Sequence, residues 1–191
     1  MEPCVRVVIF MLLFFIVFIL SVLIAYEAYP TASYAFDAAP VGACVGEVNH
    51  CGCCGSCSTA QDYNLYVSKQ DTLTEEARTC ALDNLFGDSD ACMEGIGMTS
   101  GCAYCWAENV RCTRSNCWFP CVIETWLGMN STQNGGLSKC FSCDEKNCLG
   151  GFIKCAGMSR RRAGIETDIV RDISEVCNTT TLASVDNCTG V

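Results

Sequence analysis

A dense cluster of cysteines, CGCCGSC from Cys51 to Cys57, has the most evident capacity for chemistry in this chain. Cys54 and Cys57 have the C-x-x-C spacing in which one thiolate attacks a disulfide and its neighbour resolves the mixed disulfide. A lumenal thiol–disulfide oxidoreductase is therefore one hypothesis. The context of such an enzyme is missing, because no strand precedes the pair and no alternation of strands and helices surrounds it.

Nucleophilic catalysis meets a different obstacle, the lack of a suitable base. A papain-like cysteine nucleophile needs a histidine that normally lies far downstream, and the only histidine, His50, lies upstream of the cluster. A serine nucleophile would depend on the same single residue. We therefore assign no catalytic residue and no cofactor, and the sequence favours a protein that is not an enzyme.

The number of cysteines indicates the class of protein. Nineteen of the 191 residues are cysteine, and eighteen of them follow one hydrophobic segment near the amino terminus. Pairs such as Cys102/Cys105 and Cys140/Cys143 have the spacing of zinc ligands. This cysteine density is nevertheless typical of a disulfide scaffold in an oxidising compartment, so we predict disulfides and no metal site. Their partners cannot be assigned from spacing. The predicted disulfide cysteines are Cys44, Cys51, Cys53, Cys54, Cys57, Cys80, Cys92, Cys102, Cys105, Cys112, Cys117, Cys121, Cys140, Cys143, Cys148, Cys155, Cys177 and Cys188.

The hydrophobic segment from residue 7 to residue 25 contains no charge, proline or glycine. As a helix it would cover roughly 28 Å, enough to cross a bilayer. It is longer than the apolar run of a signal peptide and lacks small residues at the cleavage positions, so we predict an uncleaved signal-anchor. Arg6 precedes it and no Lys or Arg follows until Lys69, which predicts that residues 1–6 are cytosolic.

The remainder of the chain is predicted to lie outside the cell or in a secretory lumen. Residues 26–43 are rich in Ala, Tyr and Pro and are predicted to form a stalk. Residues 44–191 are predicted to form one cysteine-rich domain. Three sequons in it, at Asn130, Asn178 and Asn187, predict N-linked glycans, which are added only on the secretory side.

We expect a small disulfide-rich ectodomain that is mainly irregular, with two or three short α-helices, after one N-terminal transmembrane helix. A helix is predicted from Thr72 to Phe86, where Thr72 and Glu75 have capping-box spacing and Cys80 lies on the apolar stripe. Gly87 would end it. Outside this helix and two further stretches, Gly and Cys interrupt the pattern too often to predict regular elements.

Two further helical stretches are predicted. The first runs from Ile165 to Val176, because isoleucines recur on one face and acidic residues suit its amino-terminal end. The second is a short turn after Pro120. Its predicted buried side is formed by Val122, Ile123, Trp126 and Leu127.

Two groups of cysteines have related spacings. The first is C-x2-C-x6-C-x4-C from Cys102 to Cys117, and the second is C-x2-C-x4-C-x6-C from Cys140 to Cys155. The inner spacings are swapped between the groups. An internal duplication is one hypothesis for this similarity.

Charge limits the set of partners. The chain has a formal net charge of −9, which argues against binding nucleic acid through its phosphates. The one basic run, Arg160 to Arg162, is interpreted as a solvated loop, with a protease-processing site and an acidic-glycan or phosphate site as alternatives. The acidic residues between Asp83 and Glu94 lack the pattern of an EF-hand and are interpreted as a solvated loop.

These observations favour a membrane-anchored, glycosylated binding or structural module with a protein or glycan partner. The alternatives are the oxidoreductase and a secreted cysteine-rich factor released by signal cleavage. Trp106, Trp118, Phe119 and Trp126 are the candidate contact residues, because aromatic side chains dominate binding hot spots. Packing of these rings in the core against the disulfides is the alternative role for each of them.

Overall fold

The computed structural model describes residues 9–17, 19–21, 50–84, 87–129, 132–133, 136–167 and 169–179. The chain forms two compact units, Met1–Ser33 and Tyr34–Val191. In the first unit, residues 9–17 and 19–21 are helical and their side chains are exposed. Among the described residues, no helix has both the length and the apolar character needed to cross a bilayer. The predicted stalk and parts of the predicted anchor lie outside the described residues, so both stay predictions.

The second unit is helical and carries many disulfides. Its described elements, in chain order, are α1 (Ala60–Ser68), α2 (Leu73–Asp83), α3 (Asp90–Ile96), α4 (Ser100–Trp126), β1 (Thr132–Gln133), β2 (Gly136–Leu137), α5 (Lys139–Asn147), α6 (Leu149–Ala156) and a 3₁₀ turn (Ile173–Glu175). The two strands form an antiparallel pair in which Thr132 lies opposite Leu137. The prediction of a mainly irregular domain with only short helices was therefore wrong. Cysteine does not interrupt a helix when it lies on the face that packs against a partner.

Buried polar side chains fix where the helices begin. Asp62 is fully buried and accepts hydrogen bonds from the hydroxyl of Thr59 and from the hydroxyl and backbone N–H of Thr99, the N-cap residues of α1 and α4. Glu124 accepts from the backbone N–H groups of Lys139 and Cys140 at 2.6 and 3.1 Å. A carboxylate at a helix amino terminus satisfies unpaired N–H groups and complements the helix dipole. Asp62 and Glu124 therefore join elements that are distant in the sequence.

The predicted helix from Thr72 to Phe86 is confirmed as α2. Thr72 is its N-cap residue, but the capping box is absent. The hydroxyl of Thr72 donates instead to Glu76 at 2.8 Å. Cys80 is buried and forms a disulfide with Cys92 of α3, so it joins these two helices. Residues 85 and 86 lie outside the described residues.

The predicted helix from Ile165 to Val176 is wrong. Ile165 and Ile169 are buried, as a helical stripe would require, but Ile173 is 80% exposed and only one 3₁₀ turn forms. The end of the segment is bonded to two other parts of the chain. Cys177 forms a disulfide with Cys51, and the N–H of Cys177 donates to the carbonyl of Arg161 at 3.0 Å. These tertiary ties outweigh the local helical periodicity.

The predicted turn after Pro120 is the last part of α4. The helix is kinked at Cys117, which has non-helical φ/ψ angles, as expected near a proline that lacks an N–H and crowds the preceding turn. The predicted burial of the apolar residues after the proline is wrong. Val122, Ile123, Trp126 and Leu127 are all exposed.

Four disulfides form a ladder between α4 and the pair α5 and α6. We call this set the disulfide ladder, and its rungs are Cys105–Cys155, Cys112–Cys148, Cys117–Cys143 and Cys121–Cys140. Successive ladder cysteines are seven, five and four positions apart along α4. Read backwards from Cys155 they are seven, five and three positions apart. The swapped inner spacings in the sequence are therefore the two sides of one antiparallel helical pairing. This pairing accounts for them without an internal duplication, which stays a hypothesis.

Two other described disulfides attach the cysteine cluster to the rest of the unit. Cys51 pairs with Cys177 and Cys57 pairs with Cys102, and Cys54 is also disulfide-bonded. The N–H of Cys57 donates to the carbonyl of Ala156 at 2.9 Å. Gly157 has a φ of 69°, and a Cβ there would lie 2.1 Å from the backbone nitrogen of Gly55. Only glycine allows the two backbones to approach so closely.

The hydrophobic core lies where α1, α2, α3, the first half of α4 and α6 meet. Its largest fully buried side chains include Tyr66, Leu73, Met93 and Met158. The second half of α4 extends beyond this core. It is held to α5 by the disulfide ladder.

Replacing both Cys112 and Cys148 with alanine is expected to lower the free energy of unfolding by about 2–4 kcal/mol, because a rung restricts the unfolded chain. Both cysteines are buried, so some packing is lost as well. The fold should persist, since rungs remain on either side. Non-reducing denaturant titration followed by circular dichroism measures the change. An unchanged midpoint and slope would show that this rung does not stabilise the protein.

Candidate ligand-binding cleft

A cleft of about 730 Å³ lies between α2, α4, α5, α6 and the segment from residue 159 to residue 176. This volume is in the range of small-molecule sites. Its wall is largely apolar. The large apolar side chains that line it include Trp106, Val110, Trp118, Val122, Trp126, Phe141, Leu149, Phe152, Ile165 and Ile169.

Helix α4 supplies the longest side of the cleft. Trp106, Val110, Trp118, Val122 and Trp126 recur at multiples of four positions and so form one stripe along the helix. The ladder cysteines lie at other positions of α4 and tie it to α5 and α6. One side of α4 is therefore bonded to its neighbours, whereas this stripe faces the cleft.

Aromatic contacts fix one end of the wall. The ring of Trp106 packs edge-on against Phe152 with centroids 5.4 Å apart. Its indole N–H donates to the hydroxyl of Tyr66 at 3.0 Å. Because both polar groups are paired within the protein, this end presents apolar ring surface to the cleft.

The predicted contact residues divide into two groups. Trp106 is half-buried and packs against the core, the alternative role that the sequence allowed for it. Trp118 and Trp126 line the cleft and are 42% and 82% exposed, whereas Phe119 is 54% exposed and does not line it. Val170 and Ile173, which also line the cleft, are exposed as well. A large exposed apolar rim of this kind is typical of a binding surface.

The basic run is part of the fold and not the solvated loop of our preferred interpretation. Arg160 donates to the carbonyl of Gln70 at 2.8 Å and to the hydroxyl of Thr74 at 2.6 Å. Arg161 donates to Glu175 at 2.9 Å, and Arg162 donates to the carbonyl of Gly157. The guanidinium groups join the segment to α2 and α6. This weighs against cleavage by a protease that needs an extended and accessible chain.

Two further arginines of the cleft wall also have partners within the protein. Arg171 forms an ion pair with Glu145, which also pairs with Arg161. Arg114 donates to the backbone carbonyls of Ala81, Asn84 and Gly87. These carbonyls lie at and beyond the carboxyl end of α2, where a cation is favourable.

Asp144 differs from the other charged groups of the wall. Its Oδ1 accepts a hydrogen bond from the amide nitrogen of Asn109 at 3.0 Å and a second from the hydroxyl of Thr113. Burial raises its pKa to about 6, and the two hydrogen bonds oppose that rise. The amide oxygen of Asn109 is buried and has no hydrogen-bond partner among the described residues. Asn109, Thr113 and Asp144, which we call the polar triplet, all line the cleft.

The polar triplet is not evident from the sequence. Asn, Thr and Asp are common on exposed helix faces, so their types carry no signal. The mirrored cysteine spacing would have placed Asp144 opposite the middle of α4, because Cys143 pairs with Cys117 and Cys148 with Cys112.

The cysteine cluster does not line the cleft. Cys57 pairs with Cys102 and both are fully buried. This weighs against a redox pair formed by Cys54 and Cys57. The disulfide state of Cys53 stays a prediction, as do those of Cys44 and Cys188, which lie outside the described residues.

His50 contacts a serine but not in an accessible site. Its Nε2 lies 2.9 Å from the hydroxyl of Ser58, and both residues are fully buried. Burial lowers the pKa of His50. The hydroxyl of Ser58 also accepts from the N–H of Gly55 at 3.0 Å. We interpret this pair as a structural tie within the cysteine cluster.

One of the three sequons can be located. Asn178 is exposed, next to the Cys51–Cys177 disulfide. Asn130 and Asn187 lie outside the described residues.

The structure is that of a small helical, disulfide-rich protein with an apolar cleft at its surface. Residues 86–179, a little under half of the chain, are similar to a family of unknown function, DUF8771. That stretch contains the whole disulfide ladder and most of the cleft wall, but not α2. No curated protein and no solved structure matches the chain.

The raised pKa of Asp144 predicts a stability contribution that depends on pH. The folded protein retains the carboxyl proton up to about pH 6, whereas the unfolded chain loses it near pH 4. The contribution of Asp144 is therefore fully present below about pH 4 and is lost as the pH rises through 6. The unfolding free energy of the wild type minus that of Asp144→Asn should fall over this range. A difference that is constant with pH would contradict the burial of this carboxyl group.

Proposed function

We propose that this chain is a membrane-anchored binding module of the secretory side and that its cleft receives a small molecule with an apolar body. The observation that carries the proposal is the cleft itself, with tryptophan and phenylalanine side chains along its wall. Apolar clefts with a few polar groups are the usual form of small-molecule sites.

The ladder explains how such a cleft can stay open. Exposed apolar walls tend to close because burial of their surface is favourable, by about 25 cal/mol per Å². Here α4 is bonded covalently to α5 and α6 by four rungs. The bonds fix the relative position of these helices. The fold therefore does not depend on burying the apolar wall of the cleft.

The cellular location is supported by the sequence. The uncharged segment from residue 7 to residue 25 and the sequons favour a single-pass membrane protein with its carboxy-terminal part outside the cytosol. The disulfides are also consistent with an oxidising compartment. A protein partner at the exposed rim is compatible with the same surface, since Trp126 and Ile173 lie there.

The cleft can be tested by placing a charge in its wall. Val122→Asp is expected to weaken binding of phenylbutanol about tenfold or more, because the ligand would desolvate an unpaired carboxylate. Val67→Asp is the matched control, since Val67 on α1 has a similar exposure, 43% against 38% for Val122, and does not line the cleft. Titration calorimetry measures the affinity of each variant and of the wild type for phenylbutanol. Equal affinities for the two variants, or no binding to the wild type, would overturn the proposed site.

The location can be tested separately in a secretory host. The full chain should remain in membranes washed with alkaline carbonate and should carry a glycan at Asn178, removable by endoglycosidase. Asn178→Gln should lose one glycan, and Asn116→Gln, which is not in a sequon, should lose none. An unmodified chain, or one released from the membrane by carbonate, would contradict the proposed location or anchoring respectively.

A further inference from the structure

The polar triplet gives the cleft a chemical preference. We propose that the cleft selects an amine with an apolar body, whose ammonium group binds between Asp144 and Asn109. This inference rests on the proposed function, because it assigns a ligand class to the same cleft.

Among the described residues, Asp144 has no cationic partner. Asn109 and Thr113, which donate to it, are both neutral. Among the ion pairs of the described residues, none involves Asp144, although Glu145 beside it pairs with both Arg161 and Arg171. A partly buried carboxylate is stabilised best by an opposite charge that also donates hydrogen bonds. An ammonium group supplies both.

The amide oxygen of Asn109 is an acceptor available to a ligand. The nitrogen of this amide donates to Asp144, and the oxygen is buried and has no partner in the part of the chain that the structure describes. An unpaired buried acceptor is costly until a donor reaches it. Because an ammonium group carries several N–H donors, one group can bond to the carboxylate and to this oxygen together.

The walls of the cleft also favour a cation. Trp106, Phe141 and Phe152 line the same cleft as the triplet. The faces of aromatic rings carry negative charge density and attract cations. A hydrocarbon body would at the same time cover the apolar stripe of α4.

The arginines of the wall do not reverse this preference. Arg161 and Arg171 are paired with Glu145, and Arg114 donates to three backbone carbonyls. Arg78 donates to Glu75 and Thr125, so it too has partners. An anionic ligand would have to replace these bonds. The net charge of −9 also attracts cations to the chain and repels anions.

The test compares three phenylalkyl ligands with different head groups: phenylbutylamine, phenylbutanol and phenylbutyrate. Each is titrated calorimetrically into the full chain in lipid nanodiscs at neutral pH, and heats from empty nanodiscs are subtracted. The amine should bind about tenfold more tightly than the alcohol, the effect expected of one charge-assisted hydrogen bond. Phenylbutyrate should bind most weakly.

Asp144→Asn should remove the advantage of the amine and leave binding of the alcohol within about twofold. Asp83→Asn is the matched control, because Asp83 is exposed at the end of α2 and does not line the cleft. The Asp83→Asn variant should still bind the amine about tenfold more tightly than the alcohol. The ranking of ligands on the unmodified chain needs no variant, so it decides the question even if Asp144→Asn folds poorly.

The failures of the two proposals can be told apart. If none of the three ligands binds, the proposed function is wrong and this inference with it. If the alcohol binds but the amine binds no more tightly, or the acid binds best, the cleft stands and the amine preference is overturned. Retention of the preference by a folded Asp144→Asn protein would also overturn it.

Discussion

The disulfide ladder is the constraint on which the rest of this structure depends. Four bonds join α4 to α5 and α6 in antiparallel register. Once the neighbouring rungs have formed, each further rung closes only a small ring, because successive rungs are a few residues apart on each helix. The stabilisation of one rung therefore depends on the others, and the rungs do not add independently. Together they replace much of the apolar packing that a helical hairpin of this size would otherwise require.

The ladder also explains how the second half of α4 can expose tryptophans. A helix is normally held by burying its apolar stripe. The kinked end of α4 is instead held by Cys117, by Cys121 and by the carboxylate of Glu124 at the start of α5. The apolar stripe is then available as the wall of a cleft. The same arrangement brings Asp144 of α5 against Asn109 and Thr113 of α4, so the polar triplet follows from the register of the ladder.

Much of this organisation is present in the sequence, but not all in a form that local rules detect. Helix α2 could be predicted because its apolar stripe and its N-cap residue, Thr72, indicate the same helix. The segment after Ile165 has an equally regular stripe, yet it is not helical, because the disulfide from Cys177 to Cys51 holds its end elsewhere. The local hydrophobic periodicity gives no information about a disulfide to a distant part of the chain.

Helix α4 was missed for the opposite reason. Its sequence contains five cysteines, a glycine and a proline, which resemble interruptions when each is considered alone. Four of these cysteines have spacings that mirror those of the cysteines in and between α5 and α6. The spacing indicates antiparallel helices when one set is compared with the other in reverse order. The unpaired amide oxygen of Asn109 and the exposure of Trp126 could not be predicted, since both depend on which helix faces which.

The most direct test of this account is to map the disulfides of the full chain by mass spectrometry. The protein would be made in a secretory host, alkylated without reduction at low pH to prevent exchange, and digested. The disulfide ladder predicts linked peptides that join Cys105 to Cys155, Cys112 to Cys148, Cys117 to Cys143 and Cys121 to Cys140. Bonds confined within α4 or within α5 and α6, such as Cys102 to Cys105 or Cys140 to Cys143, would contradict the ladder and the cleft that depends on it.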